Sequence, residues 1–197
     1  IVIAVVLVVI FFREDVQVWE RISMTQVEPI REYIEKCVED ELKRDLDLLR
    51  SNAGFFGPAQ YQRPIGESTS YIVVNYVVFG RRELPLQGYV ESRIGEDIKD
   101  ILTTKCSLKN FKDNFNIIAD TTKINALVNL GDHVTTAKVF YPITIEKEDF
   151  RVDLNEFSVD VEDDFGLLFR FVDFIVEKEI SGGYSGTDFV SSDFIRL

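Results

Sequence analysis

The chain opens on twelve residues, IVIAVVLVVIFF (1–12), without one polar side chain, and then turns abruptly to Arg13, Glu14 and Asp15. A segment with no polar face cannot lie as an amphipathic helix on a surface, so it has to be covered by lipid or by protein. As a helix rising 1.5 Å per residue it reaches about 18 Å, short of the roughly 30 Å of hydrocarbon that a lone span needs. It is therefore expected to be a membrane or filament-core helix, the alternative being a buried N-terminal strand, which its β-branched residues permit. Left exposed, these side chains would forfeit on the order of 15–30 kcal/mol of burial. The candidate assembly or membrane residues are thus Ile1, Val2, Ile3, Val5, Val6, Leu7, Val8, Val9, Ile10, Phe11 and Phe12. The sequence begins without a Met or the basic residues of a secretory signal, and is expected to have been trimmed ahead of Ile1.

From Val16 to Leu49 the pattern becomes helical and charged. Val27, Ile30, Ile34, Cys37, Val38, Leu42, Leu46 and Leu49 recur three or four apart, which predicts one amphipathic helix with a restart or kink at Pro29. Asn52, Gly54 and Gly57-Pro58 end it, and Phe55 to Ser70 read as a long loop. Tyr71 to Phe79 is a β-branched and aromatic run expected to lie centrally in a sheet. A second amphipathic helix is predicted from Tyr89 to Thr104, with Cys106 just beyond it. Strand signals then repeat at Phe115–Ala119, Lys123–Leu130, Val134–Tyr141, Ile143–Glu146 and Arg151–Val161, with a turn at Gly131-Asp132. They suggest an antiparallel meander. In the last strand the apolar parity changes between Leu154 and Phe157, which implies a bulge near Asn155-Glu156. Asp164 to Ile180 is helical and apolar nearly all round, so it is expected to be buried between partners or paired with another subunit. The resulting fold class is α+β: a long N-terminal helix, apolar then amphipathic, an antiparallel sheet domain and two further helices. It divides into an anchor with its charged extension (1–26), a folded domain (27–180) and a Gly/Ser linker with a C-terminal tail (181–197).

Acidic residues outnumber basic ones 34 to 22, a net charge of -12, which repels phosphate backbones and excludes nucleic acid as a partner. With 46 % hydrophobic residues and sixteen Phe, the chain can bury an aromatic-rich core. One histidine, His133, leaves little general-base, triad or metal chemistry, so no enzyme, cofactor, metal or small-molecule substrate is expected. Cys37 and Cys106 are the only cysteines; an even pair after a membrane-type segment fits an oxidising, extracytoplasmic location and a disulfide. Their spacing is not that of a redox or zinc motif. The acids Glu148, Asp149, Asp153, Glu156, Asp160, Glu162, Asp163 and Asp164 are read as a solvated face rather than a calcium loop, with the last two at a helix N-terminus. The chain carries no N-linked glycosylation sequon.

The order of IVIAVVLVVIFFRE, VEPIREYIEKCVEDELKRDLDLL, Cys106 and the strand VFYPITI resembles the type IV pilin superfamily, in particular archaeal pilin-like envelope proteins with class III signal peptides. The apolar run is about half the length usual in pilins. The resemblance implies a non-enzymatic protein at the cell surface: a filament subunit, or an envelope-anchored protein, whose partners are copies of itself or a lipid bilayer. The alternative is a membrane-anchored extracytoplasmic ligand-binding or sensory module.

Overall fold

The computed structural model describes residues 26–58, 76–78, 81–148 and 150–182; at 62–64 and 72–74 it gives strand pairing alone. The expected apolar helix over residues 1–12 lies outside the described residues, as does the tail beyond Gly182. In chain order the elements are α1 (Val2–Ser51, described from residue 26 on), β1 (Gln62–Pro64), β2 (Ile72–Val74), β3 (Val77–Val78), β4 (Arg81–Arg82) and α2 (Gln87–Thr104). There follow β5 (Asn116–Ala119), β6 (Asn125–Leu130), β7 (Val134–Lys147), β8 (Phe150–Glu162) and α3 (Phe165–Ser181). Every strand pairing is antiparallel, so the class is α+β as expected.

The main sheet is organised by β7. On one edge β6 pairs with its first half and β5 with its second, end to end; along the other edge runs β8. The two strand signals at Val134–Tyr141 and Ile143–Glu146 are thus one strand running through Pro142. The ladder slips by one residue between Phe140 and Ile143: Tyr141 and Pro142 of β7 stand opposite Asn155 alone, so the extra residue lies in β7 and not in β8 as expected, although Asn155 and Glu156 are successively exposed. Pro142 has no N–H to give a ladder, so the irregularity falls where a rung is already missing.

Alternation along β7 sends Ala137, Val139, Tyr141, Ile143 and Ile145 to one face, joined by Leu154, Phe157, Val159 and Val161 of β8. Helices α1 and α2 cover that face. The α1 stripe Val27, Ile30, Ile34, Val38, Leu42, Leu46 and Leu49 is at most 1 % exposed, while ion pairs such as Lys36–Asp40 (2.8 Å) and Arg50–Asp47 (2.8 Å) occupy its solvent side. Arg31 ties the helix to β8, donating to the Glu156 carbonyl (3.1 Å) with its guanidinium 5.4 Å from the Phe157 ring centre. Across α2 the buried row is Val90, Ile94, Ile98 and Leu102. Gly95 brings that helix onto β6 so closely that a Cβ there would sit 2.7 Å from the Ala126 carbonyl oxygen.

The expectation of a central strand over Tyr71–Phe79 is corrected. The run is broken: β2 pairs with β1, and β3 with β4, both outside the main sheet. Between them Tyr76 is buried, stacked on Phe55 (centroids 6.3 Å, planes 3° apart), and its hydroxyl donates to the Ala53 carbonyl (3.1 Å). The aromatic side chain that made the run look like core strand thus anchors a hairpin region to the end of α1.

Candidate functional site

Three places bring chemistry-bearing side chains together. The first is the seam between α1 and α2. Cys37 and Cys106 form a disulfide with Cα atoms 6.3 Å apart, inside the range usual for the bond. One α-helical turn further along α1 the seam becomes acidic. Glu41 and Asp45, four residues apart and therefore on one side of the helix, are both buried. Arg44 pairs with Glu41 and donates to Asp45 Oδ1 (3.2 Å), while Asp45 Oδ2 has no hydrogen-bond partner among the described residues. From α2 comes the charge of Asp97, itself held by Arg93 (3.2 Å). Burial, then the negative charges of Glu41 and Asp97, push the Asp45 carboxyl up to about 6. Burial raises Glu41 as well, against the pull of Arg44 and Lys105.

The second place is the corner where the β6–β7 turn, the end of β8 and α3 meet. Asp163 is buried; it pairs with Arg50 at the end of α1 and accepts from the Phe165 N–H (2.5 Å), fixing the start of α3. Arg170 of α3 donates to the Leu130 carbonyl (2.9 Å) and pairs with Asp132. His133 Nδ1 lies 2.7 Å from Asp164 Oδ1, and that hydrogen bond raises the imidazole above its ordinary value. Both partners are largely exposed. The recess here is lined by Arg50, His133, Val134, Glu162, Asp163, Asp164, Phe165 and Leu168, which include no hydroxyl, thiol or amine nucleophile. Only one of its carboxylates, Asp163, is buried, and its partners are structural. The corner is a charged clasp holding α3 against the turn.

The third place is apolar. Helix α3 buries Phe165, Phe169, Val172 and Val176, but Leu167, Phe171, Phe174 and Ile180 are exposed. The expectation that α3 is buried all round is therefore met on one face only within a single chain. The outward face of the sheet is likewise open, with Leu127, Ile118 and Phe140 exposed among polar residues.

The acids singled out from the sequence do not converge. Asp153 accepts from Thr144 (2.5 Å) and Asp160 from Thr136 (2.7 Å), along β8, while Asp163 and Asp164 belong to the clasp. Asp149 lies outside the described residues. Among the described residues no group of three or more His, Cys, Asp or Glu is arranged to hold a metal ion. Nor is any described helix long and apolar enough to cross a membrane. The buried acids Glu41 and Asp45 were missed. Their signal is the row Ile34, Val38, Glu41, Asp45, Leu49, spaced four or three apart, which starts and ends in core aliphatics.

No protein-family model, curated protein or solved structure matches this chain.

Proposed function

We propose that the chain is a non-enzymatic structural protein of the cell surface, a pilin-like filament subunit or envelope-anchored protein that assembles through its N-terminal apolar helix. The observation that carries this reading is the contrast along one helical pattern. Twelve residues without a polar side chain stand ahead of an amphipathic stretch whose single apolar stripe, Val27 to Leu49, is already used by the domain's own sheet. That sheet face is filled by α1 and α2, so it offers the first segment no cover. Continued as a helix, residues 1–26 extend about 39 Å. Lipid or the equivalent helices of other copies would enclose residues 1–12, with Phe11 and Phe12 near the boundary and the charged turns after them in water. The disulfide between Cys37 and Cys106 supports an oxidising compartment for the domain.

The test compares the full chain with a chain lacking residues 1–12, by negative-stain electron microscopy and by flotation with liposomes. The full chain is expected to form filaments or to float, and the shortened chain to be a folded, soluble monomer. A full chain that is monomeric in detergent-free buffer, or a deletion that unfolds the domain, would make the segment ordinary core and end the reading.

A further inference from the structure

Helix α3 carries apolar side chains on two opposite faces. Its inward row, Phe165, Phe169, Val172 and Val176, is buried. About 200° around the helix, Leu167, Phe171 and Phe174 repeat the four-three spacing with 42 %, 53 % and 59 % exposure. The open surface continues onto the start of α2. Arg82 pairs with Asp173 of α3 and donates to the Leu84 (2.9 Å) and Pro85 (3.3 Å) carbonyls, and Gln87 of α2 meets Arg170 of α3 at the Leu130 carbonyl. Leu86 and Tyr89, 64 % and 61 % exposed, therefore stand beside α3. With aromatic side chains offering roughly 150–250 Å² each, the five residues leave on the order of 500 Å² of apolar surface open. A patch of that size is at the upper end for a lone chain and is commonly an interaction surface. Two such patches face to face would remove roughly 1,000 Å² from water, the least that a specific interface needs.

The patch also fits itself. With two α3 helices antiparallel about a twofold axis midway between Phe171 and Phe174, Phe171 of each copy falls opposite Phe174 of the other. Leu167 then falls opposite Lys178, whose ammonium stands 5.4 Å from the Phe174 ring centre and whose aliphatic stem is left to pack. In an antiparallel pair each flank of one helix meets the same flank of the other. On one flank stand Arg170 and Glu177, seven residues and so about two turns apart, and the axis sets each Arg170 beside the Glu177 of the other copy. Both can take part: Glu177 is exposed, and Arg170 keeps 39 % of its side chain exposed beyond its pair with Asp132. An apolar centre with two reciprocal acid–base pairs at its rim is the pattern of a contact between identical surfaces.

We propose that this face, α3 with the start of α2, pairs with the same face of a second copy of the chain, the two α3 helices antiparallel about the midpoint of Phe171 and Phe174. The pairing does not rest on how the N-terminal segment assembles. A photo-reactive benzophenone amino acid replacing Phe171 in the full chain, kept in dodecyl maltoside micelles, reports what lies against the row. Irradiation should give a species of twice the chain mass, in which peptide mass spectrometry places the crosslink between position 171 and residues 171–178 of the second copy. Its yield should fall about tenfold in a chain also carrying Phe174→Asp, and about threefold with Glu177→Arg, far-UV circular dichroism showing that each chain is folded. Crosslinks within one chain, to detergent or to another surface of a second copy, or none at all, would overturn the proposal. So would a yield that either substitution leaves unchanged.

Discussion

Asp45 holds its proton more tightly in the folded chain than in the unfolded one, because the seam between α1 and α2 removes its water and sets Glu41 and Asp97 beside it. Its carboxyl rises from 3.8 to about 6. Between those values the folded state binds more protons, so the stability linked to Asp45 is complete below about pH 4. It is lost as the pH rises through 6, the reverse of a salt-bridged carboxylate. The swing is on the order of 3 kcal/mol. Asp45→Asn should therefore flatten the fall in stability from pH 4 to pH 7, leaving the variant at least as stable as the parent at pH 7. Urea unfolding across that range checks it, and an unchanged slope would mean that the charge is relieved elsewhere. The sequence carried this residue in plain sight, but charged residues on a helix are ordinarily assigned to its wet side, and the second apolar row that includes Glu41 and Asp45 is only visible once α2 is known to lie against it.

Helix α2 meets β6 at a single backbone approach, Gly95 over the Ala126 carbonyl. Gly95→Val places a branched Cβ into that contact and should cost roughly 1–3 kcal/mol through displacement of the helix. Gly88→Ala, in the same helix but with nothing within 4 Å of the added carbon, should be neutral or stabilising by up to about 1 kcal/mol. Chemical denaturation of the two variants separates propensity from packing; equal effects would remove the close approach as a constraint. Elements whose periodicity meets one dominant surface were legible here: the α1 stripe, the α2 stripe, the parity change at Asn155-Glu156 and the strands of the main sheet, although β7 was read as two strands parted at Pro142. The run at Tyr71–Phe79 was not, because β-branched residues specify an extended chain without specifying its neighbour. Tyr76 found Phe55 and the Ala53 carbonyl rather than β7.

Across the whole molecule the disulfide joins residues separated by 69 positions, and the chain-entropy account gives it roughly 4 kcal/mol of stabilisation. Reduction under native conditions should lower the urea midpoint by the corresponding amount without abolishing the fold, since the stripe of α1 on the sheet remains; the mass change on reduction and alkylation verifies the bond. A midpoint that does not move would mean the bridge closes a loop already restrained by packing. The pairing was legible from cysteine number and context. The end-to-end arrangement of β5 and β6 on one edge of β7 was not, since it depends on the chain crossing from one half of the long strand to the other at Thr121–Lys123 rather than on any local pattern.

The position of that bridge also decides how the domain would carry load. A pull entering along α1 from its N-terminal side and leaving through α3 passes from Cys37 directly to Cys106, so the covalent path omits α2, both small hairpins and the second half of α1. About 230 Å of backbone is withheld from extension. What remains in series is the first part of the helix, held to β8 by Arg31, and the sheet itself, where Val134 at the start of β7 stands opposite Glu162 at the end of β8, so that a pull on the two ends would unzip this pair rung by rung. The disulfide thus makes about a third of the buried core, including all of α2 and the second half of the α1 stripe, a tension-free insert.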